Sequence, residues 1–389
     1  MHIGIDAQLL SGEESYRAAG VSNYSRRLLT ALGRLAEERA VEHRFTAFVN
    51  AAEFACPGVE LAVSGLPLHR PPARILWEQT LLRRELKRRR IDLIHGLVNV
   101  LPLGGPARGV VTVHDLSFVR MPEKLPATKR LYLQRFSRAS VDRAARIIAV
   151  SRQTADDLMR YFDAPADKIT VIHNGVGQEF RPGDPETNVE FRRRKGLPER
   201  FLLYVGTLEP RKNLPLLLKA YAHWVETSQR ADDVALVLAG ARGWFYDEIF
   251  QLVQELALEE RVRFPGYVPD AELPSWYRAA SGFVYPSLME GFGLPLLEAM
   301  ACGTPVLCSA APSLREVAGD AALTVPLSDE TESEMRGESA AIVALADGLE
   351  RLMGDVGLRR ELRQRGLARA AHFSWRQAAL ETVRVYARC

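Results

Sequence analysis

The sequence predicts an α/β protein of two doubly wound domains followed by a helical C-terminal segment, and three observations carry that prediction. Short apolar runs alternate with longer stretches of helical period, the rhythm of parallel βαβ units. The rhythm lapses once, in a polar stretch rich in Pro, Gly and charge, and then restarts. The 389 residues also exceed what one core usually organises, and at about 150 residues per domain they suggest two or three.

Taken in order, HIGID is the first apolar run, and Asn23 to Leu35 follows at helical period. RFTAFVN, IDLIHG, GVVTVHD and RIIAVS then read as strands, with ILWEQTLLRRELKRRR and KRLYLQRFSRASVDRAA as crossover helices between them. KITVIHNGV ends this half, and GQEFRPGDPETNVEFRRRKGLPER reads as the linker. FLLYVGTLEPRKN opens the second rhythm, with helices from Leu214 to about Glu226 and from Tyr246 to about Leu258. VALVLAG, VRFPGYV, SGFVYPS, TPVLCS and AALTVPL supply its strands. The segment from about Ala340 to Cys389 has helical period, with Trp375 and Tyr386 as packing anchors. The expected domains are 1–180 and 181–365, with 366–389 as a helical segment that packs back on the first.

Composition excludes several classes. Hydrophobic residues at 47% and charged residues at 25% are ordinary globular usage, and a net charge of +3 is too balanced for a dedicated nucleic-acid binder. Cys56, Cys302, Cys308 and Cys389 are scattered without close pairs, so neither a disulfide framework nor a zinc knuckle is indicated, and a cytoplasmic setting fits. HIGID is not followed by Gly-x-Gly-x-x-Gly, and no Gly-x-x-x-x-Gly-Lys occurs, which disfavours dehydrogenase and P-loop chemistry.

The strongest chemical signal is SLMEGFGLPLLEAMACGTPVLCS. Glu290 and Glu298 bracket a turn holding Gly291 and Gly293, and an apolar helix starts near Leu294 with Pro295 in its first turn. A helix start presents unpaired N–H donors and a partial positive charge, so an anion belongs there, while carboxylates accept hydroxyl protons, as a sugar requires. Taken singly, an acidic first turn favoured by the macrodipole accounts for such residues as well. Glu298 lies in the apolar run LPLLEAMA, and a buried carboxylate needs a partner or ligand. The second signal is YVGTLEPRKNL, which places Arg211 and Lys212 after a strand, where ligands of doubly wound sheets gather; alone, it is also a solvated loop with Asn213 capping the next helix.

LYVGTLEPRKNL, LVLAG, VRFPGYVPDAELPSWY, VYPSLMEGFGLPLLEAMACGTPV and SLREVAGDAA resemble the family 4 retaining glycosyltransferases, as do GVSNYSRRLL, VTVHDLSF, IIAVSRQTADDL and VIHNGV in the first half. The resemblance implies the GT-B fold, two Rossmann-like domains facing across a cleft, and transfer of a sugar from a nucleotide-sugar donor with retained configuration. It implies that Glu290 contacts sugar hydroxyls and Glu298 the ribose. Gly291, Phe292, Gly293 and Leu294 would line donor sugar and phosphate, Lys212 would meet the diphosphate, His114 would face the sugar, and Gly20 would belong to a loop near acceptor and diphosphate. Many members carry Arg directly after the glycine of this strand; here Thr207 follows Gly206, and Arg211 would supply the charge instead. GTLEPRKN is similar to the mannosyltransferase-like branch, which favours mannose from GDP-mannose, while the departure at Thr207 leaves donor sugar and base open.

Departure of a diphosphate leaves negative charge that Lys212, Arg211 and the helix near Leu294 can stabilise. No Asp-x-Asp triplet occurs, so protein charge is expected to replace a metal, with no cofactor. His114 would polarise a sugar hydroxyl or stabilise the sugar ring through its neighbouring carbonyl, although a lone His after a strand is more often structural. Asp115 reads as a turn or cap residue, Asn174-Gly175 as a turn, and His95, Asn99 and His173 as strand-end residues without catalytic roles. The basic amphipathic stretch 77–90 is either a solvated helix face or a peripheral contact with an anionic membrane bearing a lipid-linked saccharide acceptor. An epimerase or phosphorylase on the same fold, or a non-catalytic nucleotide-sugar-binding protein, are the competing readings.

Overall fold

The computed structural model describes residues 1–10, 20–50, 54–66, 68, 71–105, 107–327 and 334–389. They form two compact units, Met1–Gly175 with Ser374–Cys389, and Val176–Phe373. The divisions fall at 175–176 and 373–374, where the sequence pattern placed them at 180–181 and 365–366.

The first unit runs β1 (His2–Asp6), α1 (Val21–Glu37), β2 (Arg44–Val49), β3 (Glu60–Val63), α2 (Pro71–Gln79), α3 (Leu81–Arg88), β4 (Leu93–Gly96), β5 (Arg108–Val113), α4 (Ser117–Arg120), α5 (Ala127–Arg143), β6 (Arg146–Ala149), α6 (Arg152–Phe162) and β7 (Ile169–Val171). Its sheet has the order β3-β2-β1-β4-β5-β6-β7, and every pairing is parallel. Strands sandwiched between helix layers are apolar on both faces, which is why Ile3, Ile5, Phe45, Val110 and Val111 are all fully or almost fully buried.

The second unit continues with α7 (Pro185–Lys195), β8 (Arg200–Val205), α8 (Leu214–Thr227), β9 (Val234–Ala239), α9 (Asp247–Glu255), β10 (Val262–Gly266), α10 (Leu273–Ala279), β11 (Gly282–Tyr285), α11 (Leu294–Ala301), β12 (Val306–Ser309), α12 (Pro312–Ala318), β13 (Leu323–Val325), α13 (Glu334–Gly354) and α14 (Val356–Ala370). Its sheet order is β10-β9-β8-β11-β12-β13, again parallel throughout. The strand order reverses beside β8, so the loops after β8 and β11 lie at the switch point where doubly wound sheets bind ligands.

The last helix, α15 (Trp375–Tyr386), belongs to the first unit. Its Trp375 ring meets Tyr24 of α1 edge-on at 5.7 Å, and Arg376 pairs with Glu38. Asn174-Gly175 is not a turn: the backbone runs on without one, and a Cβ on Gly175 would stand 2.1 Å from the Trp375 amide nitrogen. The glycine is there to let α15 approach.

Two further expectations change. The polar stretch read as linker contains α7, begun by an Asp184 side-chain cap with Pro185 in its first turn and ended by Gly196 in the left-handed region. Only Phe191 of that helix is buried, so it carries little apolar period. The basic stretch 77–90 is two helices broken at Thr80, and part of its charge is spent internally. Arg88 and Arg89 pair with Glu85, and Arg89 with Glu60. Among the described residues no helix is long and apolar enough to cross a membrane.

Candidate active site

In the second unit the loop after β8 delivers two cations to a buried carboxylate. A 3-10 turn over Pro210–Lys212 follows β8, and Asn213 then turns in the left-handed region (φ 57°) to start α8. Asn213 occupies the cap position without a side-chain cap bond, so its contribution is the turn itself rather than the capping expected of it.

Lys212 is 6% exposed, and its Nζ donates to Glu290 Oε1 at 2.6 Å and to the Tyr285 hydroxyl at 2.9 Å. Arg211 Nη1 lies 3.6 Å from Glu290 Oε2, while its Nε donates to Glu209. Burial opposes ionisation of Glu290, but the Lys212 charge, then Arg211 and the Lys212 hydrogen bond, outweigh it and hold the carboxyl below the usual range. For Lys212 burial lowers the pKa and outweighs the opposing Glu290 charge. Two cations and two carboxylates thus form one cluster whose formal charge sums to zero.

The loop after β11 is locked to this cluster. Leu288 N–H donates to the Arg211 carbonyl at 2.9 Å, and Ser313 Oγ–H donates to the Glu290 carbonyl at 2.7 Å. Gly291 is buried, and the Phe292 ring packs edge-on against Phe373 at 5.8 Å. Gly293 (φ 103°) is the residue before α11, whose start at Leu294 has no side-chain cap. Glu298, one turn on, is 5% exposed and accepts from the Tyr277 hydroxyl at 3.0 Å. That phenol is the partner its burial required. Thr207 follows Gly206 half-buried, and its carbonyl accepts from the Tyr204 hydroxyl.

The first unit places His114 just past β5. Its backbone N–H donates to Asn99 Oδ1 and its Nε2–H to the Leu97 carbonyl, each at 2.9 Å, while the Tyr24 ring stands edge-on at 4.6 Å. Burial lowers its pKa, against the Leu97 hydrogen bond and Asp115. Asp115 accepts from Ser117 N–H, the turn role its position suggested. Gly20, exposed and with φ 53°, immediately precedes α1.

Tyr285, Glu209 and Tyr277 were not singled out by sequence. Glu209 stands two residues before Arg211, and the two tyrosines lie within SWYRAA and FVYPS, where an aromatic reads simply as core. Asn99 and His95 have more than the strand-end role their positions suggest: the first orients His114, and the second is fully buried with its pKa pushed down to about 3 by burial and then by His114. Below pH 6.5 the unfolded chain binds a proton that the folded His95 refuses, so stability present at neutral pH is lost as pH falls toward 3. Acidification to about pH 5 should cost ~2 kcal/mol through this residue. Urea unfolding of His95→Gln should accordingly show a shallower pH slope, by up to about one proton, than the wild type; equal slopes would contradict the assignment.

A family profile described as glycosyl transferases group 1 matches residues 186–369, and one described as glycosyltransferase family 4 matches residues 18–180. O-antigen chain mannosyltransferase B of Escherichia coli is 38% identical over 281 residues, covering 72% of this chain and 70% of that protein. A D-inositol 3-phosphate glycosyltransferase of Frankia alni is 35% identical over 257 residues, 62% of this chain and 58% of that protein. Among solved structures, sucrose-phosphate synthase from Thermosynechococcus elongatus aligns with a TM-score of 0.79 at 24% identity, over 100% of this chain and 98% of that one, a likeness of fold.

Proposed function

This chain belongs to the family 4 glycosyltransferases of the GT-B fold, and on that premise we propose that it transfers mannose from GDP-mannose to a saccharide or lipid-linked saccharide, with retention and without a metal. The observation that carries the reading is the buried meeting of Lys212 and Arg211 on Glu290, beside the uncapped start of α11. Mannose is favoured by the name of the O-antigen relative.

In this reading Lys212 and Arg211, already in place beside Glu290, meet the charge that develops on the departing diphosphate, and the Glu290 carboxylate accepts hydrogen bonds from sugar hydroxyls. Amides of Gly291, Phe292, Gly293 and Leu294 line the sugar and phosphate, Thr207 borders the donor, and Glu298 holds the ribose. Gly20 and His114 are the first unit's contribution, His114 through a sugar hydroxyl. The leaving phosphate takes the acceptor proton, so the sugar is attacked on the face from which the phosphate departs and no enzyme nucleophile is needed. Arg84, Lys87 and Arg90, exposed on and after α3, are the basic groups that would meet an anionic membrane surface at the cytoplasmic side.

A thermal-shift screen of GDP-mannose, UDP-glucose and UDP-GlcNAc tests the donor, because a ligand that binds only the folded state raises the melting temperature. GDP-mannose should give the largest shift, and a larger one for UDP-glucose or UDP-GlcNAc would reassign the donor. EDTA should leave turnover unchanged, since the charge on the diphosphate is met by Lys212 and Arg211; loss of turnover restored by manganese would refute metal independence. A donor that is bound, isomerised or phosphorolysed but never transferred would favour the competing readings.

A further inference from the structure

His95 takes no part in the chemistry above, yet it is fully buried on β4 and holds two hydrogen bonds. Its Nδ1 meets the Tyr386 hydroxyl of α15 at 2.7 Å, and its Nε2 meets Thr112 Oγ1 of β5 at 2.8 Å. Thr112 Oγ1 in turn meets the Tyr24 hydroxyl of α1 at 3.1 Å. Tyr24 then stands edge-on to the His114 imidazole, with the two ring planes at 86°. The four groups form one buried row from the C-terminal helix to that imidazole.

The row is directional. A neutral imidazole has one donor and one acceptor nitrogen, so His95 must donate on one side and accept on the other. If His95 donates to Tyr386, the protons run head to tail from Tyr24 through Thr112 and His95; if it accepts from Tyr386, its Nε2–H donates to Thr112 and either hydroxyl of the Thr112–Tyr24 pair can be the donor. In both cases deleting one hydroxyl leaves a buried neighbour without its partner. Thr112 is also tied to His114 through the backbone: its carbonyl accepts from Asn99 N–H at 2.8 Å, and Asn99 Oδ1 accepts from His114 N–H. With Nε2–H held by the Leu97 carbonyl, the ring has one tautomer, and its other nitrogen is an acceptor.

We propose that Tyr386 and His95 are positioning residues for His114, the C-terminal helix setting that imidazole through the hydrogen-bonded row Tyr386, His95, Thr112 and Tyr24. The proposal rests on the reading of His114 as a participant in sugar transfer. The row closes only when the last turn of α15 has docked on the first unit, so the imidazole is set after the whole second unit has been made.

Nitrogen NMR of full-length protein labelled at histidine tests the geometry without substrate. Wild-type His114 should show a fixed tautomer protonated at Nε2. By releasing the Tyr24 ring that stands against the imidazole, Tyr386→Phe and Thr112→Val should loosen the Nε2–H bond to Leu97, move His114 toward tautomer exchange and lower kcat about tenfold, with the KM for GDP-mannose unchanged. Thr112→Ser keeps the hydroxyl and should match wild type in both readouts. Wild-type His114 signals and kcat in a folded Tyr386→Phe or Thr112→Val overturn the proposal. If Tyr386→Phe does not fold, the comparison of Thr112→Val with Thr112→Ser decides alone. Absence of transfer by the wild type with any donor, together with His114 signals that do move in the variants, keeps the row and dismisses the transfer reading instead.

Discussion

Replacing Lys212 by alanine is expected to lower turnover by about 100- to 1000-fold, or about 3–4 kcal/mol on the barrier, while nucleotide-sugar affinity changes far less. Lys212 is 6% exposed and its ammonium is bonded to Glu290 and Tyr285, so it is preplaced and needs no reordering of water when charge develops on the diphosphate. In the ground state it neutralises Glu290; in the proposed reaction its stronger interaction is realised as the phosphate departs, and such interactions raise kcat more than they tighten binding. The same substitution strands Glu290, whose carboxyl loses the charge that most lowers its pKa. Glu290 contributes stability above its unfolded-state pKa that is lost as pH falls through its lower folded value, and the variant should forfeit that contribution. Turnover and unfolding must therefore be measured together. A folded Lys212→Ala protein with turnover within about threefold of wild type would remove the lysine from the reaction.

Strands were the most legible part of the chain, because parallel strands buried on both faces leave unbroken apolar runs such as Phe201–Val205 and Val234–Ala239. β3 escaped detection for the complementary reason: it is an edge strand of four residues, none of them fully buried, with no run to see. α7 was hidden by its charge, although Asp184, Pro185 and Gly196 mark both of its ends. Glu290, Glu298, Arg211 and Lys212 were all legible as chemistry because each sits in a short local motif. Their pairing was not, since Lys212 and Glu290 are 78 residues apart and meet only because the sheet order sets β8 beside β11. The row through His95 was less visible still, as its Tyr386 lies 291 residues away on a helix that returns from the other unit.

The loop that carries the two cations depends on a backbone contact that one methyl group would break, and Gly240→Ala should therefore destabilise the protein by about 3 kcal/mol or more. Gly240 follows β9 and Gly206 follows β8, and the two backbones touch. A Cβ at Gly240 would lie 1.9 Å from the Gly206 carbonyl oxygen, which is backbone and cannot swing aside like the end of a long side chain. Retreat of Gly206 is resisted by its own N–H bond to the Ala239 carbonyl at 2.9 Å and by the Tyr204 hydroxyl on the Thr207 carbonyl at 3.2 Å. Any movement that does occur passes through Thr207 into the turn Pro210–Lys212, so residual folded protein should also lose turnover. Gly266→Ala is the matched control, since its φ of 77° imposes left-handed strain but a Cβ there has no neighbour within 4 Å; it should cost only about 1–2 kcal/mol and spare turnover. Urea unfolding of both variants, read against turnover of the folded fraction, separates the two effects. Equal losses at 240 and 266 would mean that backbone strain, and not the contact with Gly206, governs this corner of the sheet.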